Sequence, residues 1–373
     1  MKIVIDGSPL CNTATGIATY TIDAISAIVK YLPNWQIYLT LPKEIHPSIK
    51  DLPIASITIV KVPLPFVKKR VPWIQCVIPF VVRKYKADLY WSPNKVIPLV
   101  GLGSCRTMIT IHDVVWKELT NTKESNFYNF VFDYIVDKSL YKADFLWYNS
   151  GYTKSRIEHY YPQLSNKPSV IGDSCNDRFK RIQIDSKAID SIKKEYDIIN
   201  GFLLFVGSLE PRKNLIFLLK IMPEVYKRTG KKLLVVGASG WKNDNIKKYI
   251  MNPSFSRDSV VFANYIDNEK LVLLYNIADC YISSALNEGF GMPQLEAMKC
   301  GCPVISPNNS AMTEVVSGNG ILIDGWDEKL WIDTICSLVQ SPEKMKSLQN
   351  PDVSRYSWEK IIKEIEKLVK GVG

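Results

Sequence analysis

Phe202-Leu203-Leu204-Phe205-Val206-Gly207-Ser208-Leu209-Glu210-Pro211-Arg212-Lys213-Asn214 is the stretch that decides the fold. A short apolar run reads as a buried strand that stops at Gly207. A helical pattern begins near Asn214 and continues to Arg228. Strand, loop and helix in that order are the unit from which parallel sheets with right-handed crossovers are built.

The same unit recurs on both sides. Downstream, Lys232–Val236, Ser259–Phe262, Cys280–Ile282, Pro303–Ser306 and Ile321–Ile323 read as strands, with helices over Asn268–Ala278, Pro293–Lys299 and Glu328–Val339. Upstream lies an earlier series: strands at Lys2–Asp6, Trp35–Leu41, Ser56–Val62, Asp88–Trp91, Met108–Ile111, Phe145–Tyr148 and Ser169–Ile171. Its helices are Ile17–Tyr31, Asn126–Leu140 and Thr153–Tyr160. In the first of these helices Ile17, Tyr20, Ala24, Ile28 and Tyr31 form one apolar stripe at helical spacing, with Thr21 on the same side. Two series imply two doubly wound, Rossmann-like parallel-sheet domains, joined near Asn176–Lys194, where polar residues replace strand-like runs. The boundaries expected are 1–180, 181–355 and a last amphipathic helix within 356–373. That helix carries Trp358, Ile361, Ile362, Ile365 and Leu368 on its apolar side.

Composition narrows the class. The 373 residues, 46% of them hydrophobic, suit two cores of ordinary size. A charged fraction of 23% argues against intrinsic disorder. No apolar run approaches the ~20 residues of a membrane-spanning helix, and the N-terminus reads as a strand rather than a signal peptide. A cytoplasmic location is therefore expected. The eight cysteines match no zinc or redox spacing and are expected to be buried thiols. The net charge of +10 is uneven: residues 1–180 hold 22 Lys and Arg against 14 Asp and Glu, the remainder 25 against 23. Such an excess suits an anionic partner or a merely solvated basic face.

Open parallel sheets bind ligands beyond the carboxyl ends of their strands. Four segments occupy such places. Gly7–Gly16 is a small-residue loop before a helix, yet lacks a full G-x-G-x-x-G, which disfavours a nicotinamide site. His112-Asp113 ends a strand, where the imidazole either meets a ligand or caps the strand. Arg212 and Lys213 stand at a helix start, where two cations and backbone N–H groups converge on an anion such as a diphosphate. Asn287-Glu288-Gly289-Phe290-Gly291-Met292-Pro293-Gln294-Leu295-Glu296 follows a strand and enters a helix at Pro293. Its glycines let a ligand approach the backbone, and its two carboxylates can each accept from sugar hydroxyls. No Asp-x-Asp pair occurs, so a metal-bridged diphosphate is disfavoured and no metal or other cofactor is expected. There is no transition-metal cluster and no nucleophile-elbow signature.

At these residues the sequence resembles the family-4 retaining glycosyltransferases of the B-type (GT-B) fold. The most specific element is Glu-x7-Glu, Glu288 to Glu296, in the setting Glu-Gly-Phe-Gly-Met-Pro. Gly-Ser-Leu-Glu-Pro-Arg-Lys-Asn comes next. Leu274-Tyr275 before Ala278-Asp279, and Gly301-Cys302-Pro303-Val304-Ile305 before Glu314-Val315, support it. Thr15-Gly16-Ile17, His112-Asp113 and Asn149-Ser150 extend it thinly into the first half.

The resemblance implies two domains facing across a cleft, the first taking the acceptor and the second a nucleotide-diphosphate sugar. It places Arg212 and Lys213 on the diphosphate, Glu288 on the transferred sugar and Glu296 on the ribose. Backbone around Gly289, Phe290 and Gly291 faces sugar and phosphate, with Leu295 beside the donor. Gly16 helps close the cleft, His112 sits by the anomeric centre, and Tyr265 lies at the base. Ser208 stands where some members carry a further arginine. The catalytic set is then His112, Arg212, Lys213 and Glu288. The implied partners are a nucleotide-sugar donor and a glycan or lipid-linked glycan acceptor of a bacterial surface polysaccharide, with a mannose- or rhamnose-type sugar. Members acting on lipid-linked acceptors work at the cytoplasmic membrane. The basic and aromatic segment 66–74 suits an anionic lipid interface there, with Pro72 breaking any long helix. The competing readings are another GT-B enzyme, glycogen-synthase-like or a nucleotide-sugar epimerase, and a nucleic-acid binder. The last lacks any base-reading motif.

Overall fold

The computed structural model describes residues 1–13, 15–65, 67, 69–118, 127–237, 244–252, 255–264 and 266–371. The chain divides into two compact units. One is Met1–Ser174 together with Tyr356–Gly373, the other Cys175–Arg355.

The first unit runs β1 (Lys2–Asp6), α1 (Gly16–Tyr31), β2 (Gln36–Leu41), β3 (Thr58–Lys61), α2 (Arg70–Tyr85), β4 (Leu89–Ser92) and β5 (Arg106–Ile111). It continues with α3 (Val115–Glu118), α4 (Phe127–Lys142), β6 (Phe145–Tyr148), α5 (Gly151–Tyr160) and β7 (Ser169–Ile171). The strands form one parallel sheet in the order β3-β2-β1-β4-β5-β6-β7. Alternation along β1 assigns its two faces. Ile3 and Ile5 pack with Ala24 and Ile28 of α1, whereas Val4 faces Ile74 and Ile78 of α2. Each such side chain, fully withdrawn from water, contributes roughly 1.5–3 kcal/mol.

In the second unit come α6 (Ser186–Glu195), β8 (Phe202–Val206), α7 (Leu215–Thr229), β9 (Lys232–Val236), α8 (Asp244–Met251), β10 (Val260–Asn264) and α9 (Asn268–Ile277). Then follow β11 (Cys280–Ile282), α10 (Met292–Lys299), β12 (Val304–Pro307), α11 (Ser310–Val316), β13 (Ile321–Ile323), α12 (Glu328–Val339) and α13 (Pro342–Ser347). Its parallel sheet is ordered β10-β9-β8-β11-β12-β13. Leu203 and Phe205 of β8 pack with Leu218 and Met222 of α7 and with Trp331 and Ile335 of α12. The last helix, α14 (Trp358–Gly371), returns to the first unit, where Ile362 and Ile365 join the core of α1. On α14 the fully buried residue of the last turn is Val369, and Leu368 is only partly covered.

Helix starts follow local chemistry. The side chains of Ser150, Asp267 and Asp327 accept backbone N–H bonds from Thr153, Lys270 and Leu330 at 3.0, 2.8 and 2.7 Å. Two expectations are corrected. Pro72 does not break the helix. It lies in the first turn of α2, where a missing N–H is harmless, and α2 also accommodates Pro79. Among the described residues of 66–74 the apolar side chains at 71, 73 and 74 are turned inward. Val71, Trp73 and Ile74 are core residues, Trp73 donates its indole N–H to the Val62 carbonyl at 2.9 Å, and Arg70 is paired with Asp6. Phe66 and Lys68 lie outside the described residues. The second correction is Cys76, which is exposed on α2 while the other seven thiols are buried.

Candidate functional site

In the second sheet the chain runs outward from β8 through β9 to β10, then returns with β11 on the other side of β8. The strand order reverses between β8 and β11, and the segments leaving their carboxyl ends flank one crevice. Both sequence-predicted loops lie there. Pro211–Lys213 is a separate 3-10 turn after β8, set off from α7 by Asn214 in the left-handed region (φ 51°). The cations thus precede the helix on their own turn. The Lys213 stem crosses Gly207, where an added Cβ would meet its Cε at 3.5 Å.

The turn is tied to the loop after β11 through the main chain. Leu286 donates its N–H to the Arg212 carbonyl at 2.8 Å, and Ser284 Oγ donates to the carbonyls of Lys213 and Asn214 at 2.9 and 3.1 Å. The side chains then converge. Arg212 Nη1 donates to Glu288 Oε2 at 2.6 Å and to the Asn287 carbonyl at 2.8 Å, and Lys213 Nζ donates to Glu288 Oε1. Glu288 is held from behind: its N–H donates to Ser310 Oγ at 3.0 Å, and its carbonyl accepts from Ala311 at 3.3 Å. Burial alone pushes the Glu288 carboxyl up. Lys213 and then Arg212 outweigh burial, so the net shift is downward and the group is ionised at neutral pH.

The loop closes on Gly291, which caps α10 with φ 110°, a conformation L side chains rarely adopt. Phe290 and Leu295 are buried. Glu296, also buried, accepts from Tyr275 Oη at 3.0 Å. Ser208 lies beside the turn, its carbonyl accepting from Glu210 at 2.8 Å. Tyr265 lies outside the described residues.

Two further residues belong to the first unit. Gly16 opens α1 and is exposed, with open space where a Cβ would stand. His112 follows β5. Its Nε2 is 2.8 Å from the Pro93 carbonyl, and its ring lies edge-on to Tyr20 at 4.6 Å between centroids. Burial pushes its pKa down against the opposing pull of that carbonyl and of Asp113. The neutral ring therefore donates from Nε2 and keeps its lone pair on Nδ1. The main chain at His112 is fixed by Asn149, whose Nδ2 donates to the His112 carbonyl at 2.8 Å. The first sheet has its own reversal point, between β1 and β4. There Arg70 donates to Asp6 Oδ2 at 2.5 Å, to Ser8 Oγ at 2.9 Å and to Ser92 Oγ at 3.3 Å, with Asp6 and Ser92 fully buried.

Sequence reasoning missed several of these residues. In the sequence Arg70 stands only as part of a basic run, since its acidic partner is 64 positions away. Ser310 and Ser284 carry no local signal, because their role is to hold loops distant in sequence. Gln294 is 1% exposed at the start of α10, and neither side-chain amide atom has a hydrogen-bond partner. Among the described residues no group of three or more His, Cys, Asp or Glu could hold a metal ion. No described helix is long and apolar enough to cross a membrane.

Parts of the chain match known proteins in sequence, and its fold matches solved structures. Residues 189–351 match the family model "Glycosyl transferases group 1". The chain is 24% identical over 233 residues to "Serotype-specific mannosyltransferase WbdA" of Escherichia coli, a match covering 61% of this chain and 27% of that protein. It is 24% identical over 247 residues to "O-antigen chain mannosyltransferase B" of Escherichia coli, covering 66% and 63%. It thus spans about a quarter of the first relative's length. Among solved structures, sucrose-phosphate synthase from Thermosynechococcus elongatus superposes with a TM-score of 0.78 at 18% identity, covering 100% of this chain and 98% of that one. Residues 189–351 are thus similar to the group 1 glycosyl transferases, and the two Rossmann-like parallel-sheet units have the fold of B-type glycosyltransferases.

Proposed function

We propose that the chain transfers a hexose, mannose- or rhamnose-type, from a nucleotide-diphosphate sugar to a glycan or lipid-linked glycan of a bacterial surface polysaccharide, with retention of anomeric configuration. The observation that carries this reading is the Arg212–Glu288–Lys213 cluster at the reversal point of the second sheet. Two cations held against one carboxylate form an exchangeable site. An incoming diphosphate competes for both cations, and the released Glu288 carboxylate accepts from a sugar hydroxyl. Arg212 and Lys213 then stabilise the leaving diphosphate, and transfer needs no metal. Glu296 takes the ribose. The Asp6–Arg70–Ser8–Ser92 cluster offers acceptors and donors for acceptor hydroxyls. The names of the two relatives support mannose over other hexoses. The enzyme works in the cytoplasm.

A thermal-shift panel of nucleotide sugars tests the donor, since a ligand bound only by the native state raises apparent stability. GDP-mannose is expected to give the largest shift. Transfer in the presence of a chelator, with the product anomer read by NMR, tests the chemistry. Absence of a shift with every nucleotide sugar overturns the reading.

A further inference from the structure

We propose that Ser310 is a positioning residue for transfer, holding Glu288 in aim once Arg212 and Lys213 have passed from its carboxylate to the diphosphate. The inference rests on the exchange of cations proposed above. The Glu288 side chain is aimed by those two cations. An anion that takes both leaves the carboxylate without its side-chain anchors, and the hold on the main chain remains. That hold comes from two consecutive residues at the start of α11. Glu288 donates its N–H to Ser310 Oγ at 3.0 Å and accepts the Ala311 N–H on its carbonyl at 3.3 Å. Polar groups on both sides of the Glu288 Cα are thus engaged, so the direction of its Cα–Cβ bond is set with or without the cations.

The support is itself braced. Ser310 Oγ donates its proton to Asn309 Oδ1 at 2.9 Å, which turns a lone pair toward the Glu288 N–H. Asn309 Nδ2 donates to the Ala285 carbonyl at 3.4 Å. Asn308 Nδ2 donates to Asp324 Oδ1 at 2.7 Å, and its Oδ1 accepts from Thr313 Oγ1 at 2.9 Å. The loop after β12 is therefore tied to the loops after β11 and β13, and Ala311 is fully buried. Ser310 also bears a backbone cost. Its φ of 49° lies in the left-handed region, where a side chain crowds its own backbone and glycine does not. Four described non-glycine residues have positive φ, and two of them, Asn214 and Ser310, border this one site. Glycine at 310 would relieve the turn and forfeit the bond to Glu288, so substitution there separates stability from aim.

Ser310→Ala removes the hydroxyl and keeps the strain, whereas Ser310→Gly removes both. Each is expected to lower kcat about tenfold or more and to change the donor KM by less than about threefold, because the cations still meet the diphosphate. Ser310→Gly is expected to melt above Ser310→Ala, so the loss of kcat does not follow Tm. Wild-type kcat in Ser310→Gly, a loss of kcat confined to the less stable variant, or an effect on donor KM alone overturns the proposal. A second readout needs no turnover. Amide exchange at Glu288, followed by mass spectrometry with and without GDP, is expected to run about tenfold or more faster in both variants than in the wild type. Equal exchange in all three proteins also overturns the role of Ser310. A wild type that transfers no hexose counts against the transferase reading instead, and the exchange rates then decide the inference by themselves.

Discussion

Arg212 uses a single nitrogen, Nη1, to reach both the Glu288 carboxylate and the Asn287 carbonyl, and so fixes the loop after β11 against the turn after β8. Lys213 occupies the other oxygen of the same carboxylate. Lys213→Ala and Glu288→Ala are each expected to lower turnover by about a hundredfold or more, the scale of a lost transition-state contact. Initial-rate kinetics check this, and near-normal turnover in either variant removes the role assigned to it.

The same cluster sets a pH limit. The folded-state pKa of Glu288 lies below its ordinary value, so its contribution to stability is complete above that value. It is lost as pH falls through the depressed one. Thermal unfolding followed from neutral to acidic pH should show Glu288→Gln losing less stability on acidification than the wild type does. Equal losses contradict the ionised cluster.

Glu296 is one helix turn inside α10 and bonded to Tyr275, so its effect should fall on binding. Glu296→Ala is expected to raise the donor KM about tenfold or more with a smaller change in kcat, the signature of lost ground-state binding. Tyr275→Phe should shift KM in the same direction by less, because the carboxylate remains. An effect confined to kcat refutes this division.

His112 gives a second titration. Its pKa is depressed in the folded protein, so the unfolded chain takes up the proton first as pH falls below about 6.5. Stability from the neutral imidazole is thus complete above that pH and declines below it. His112→Gln should narrow the difference in Tm between about pH 7.5 and 5.5. An unchanged difference shows that His112 is not the group responsible.

Gln294 carries an amide with no partner at 1% exposure, a state that costs roughly 1–3 kcal/mol relative to a satisfied one. Gln294→Leu, of similar size, is therefore expected to leave Tm unchanged or raise it. A clear fall in Tm by calorimetry shows that the amide makes stabilising bonds, through water or otherwise.

Much of this was legible before folding. The strands Phe145–Tyr148, Phe202–Val206, Cys280–Ile282 and Ile321–Ile323 and the helix Glu328–Val339 fall where the sequence places them. Apolar runs and helical periodicity are local signals there, uncontested by tertiary context. Helix α2 was not legible, because two prolines and a basic entrance mask its period until the core claims Val71, Trp73 and Ile74. For the site, the loops could be found from their glycines and charges, but not the bonds between them.

The sequence by itself determined the two parallel sheets and the residue types that leave their strands, since both follow from local pattern and from the handedness of strand–helix–strand connections. Only the tertiary structure decided that Glu288 stands between Arg212 and Lys213, that Arg70 belongs to Asp6, and that the apolar residues of 71–74 face inward. The physical reason is common to all three. A carboxylate chooses its cation, and a side chain its core, by proximity in space. The strand order that brings β8 beside β11 and β1 beside β4 is set by burial summed over the whole sheet rather than by any stretch of chain.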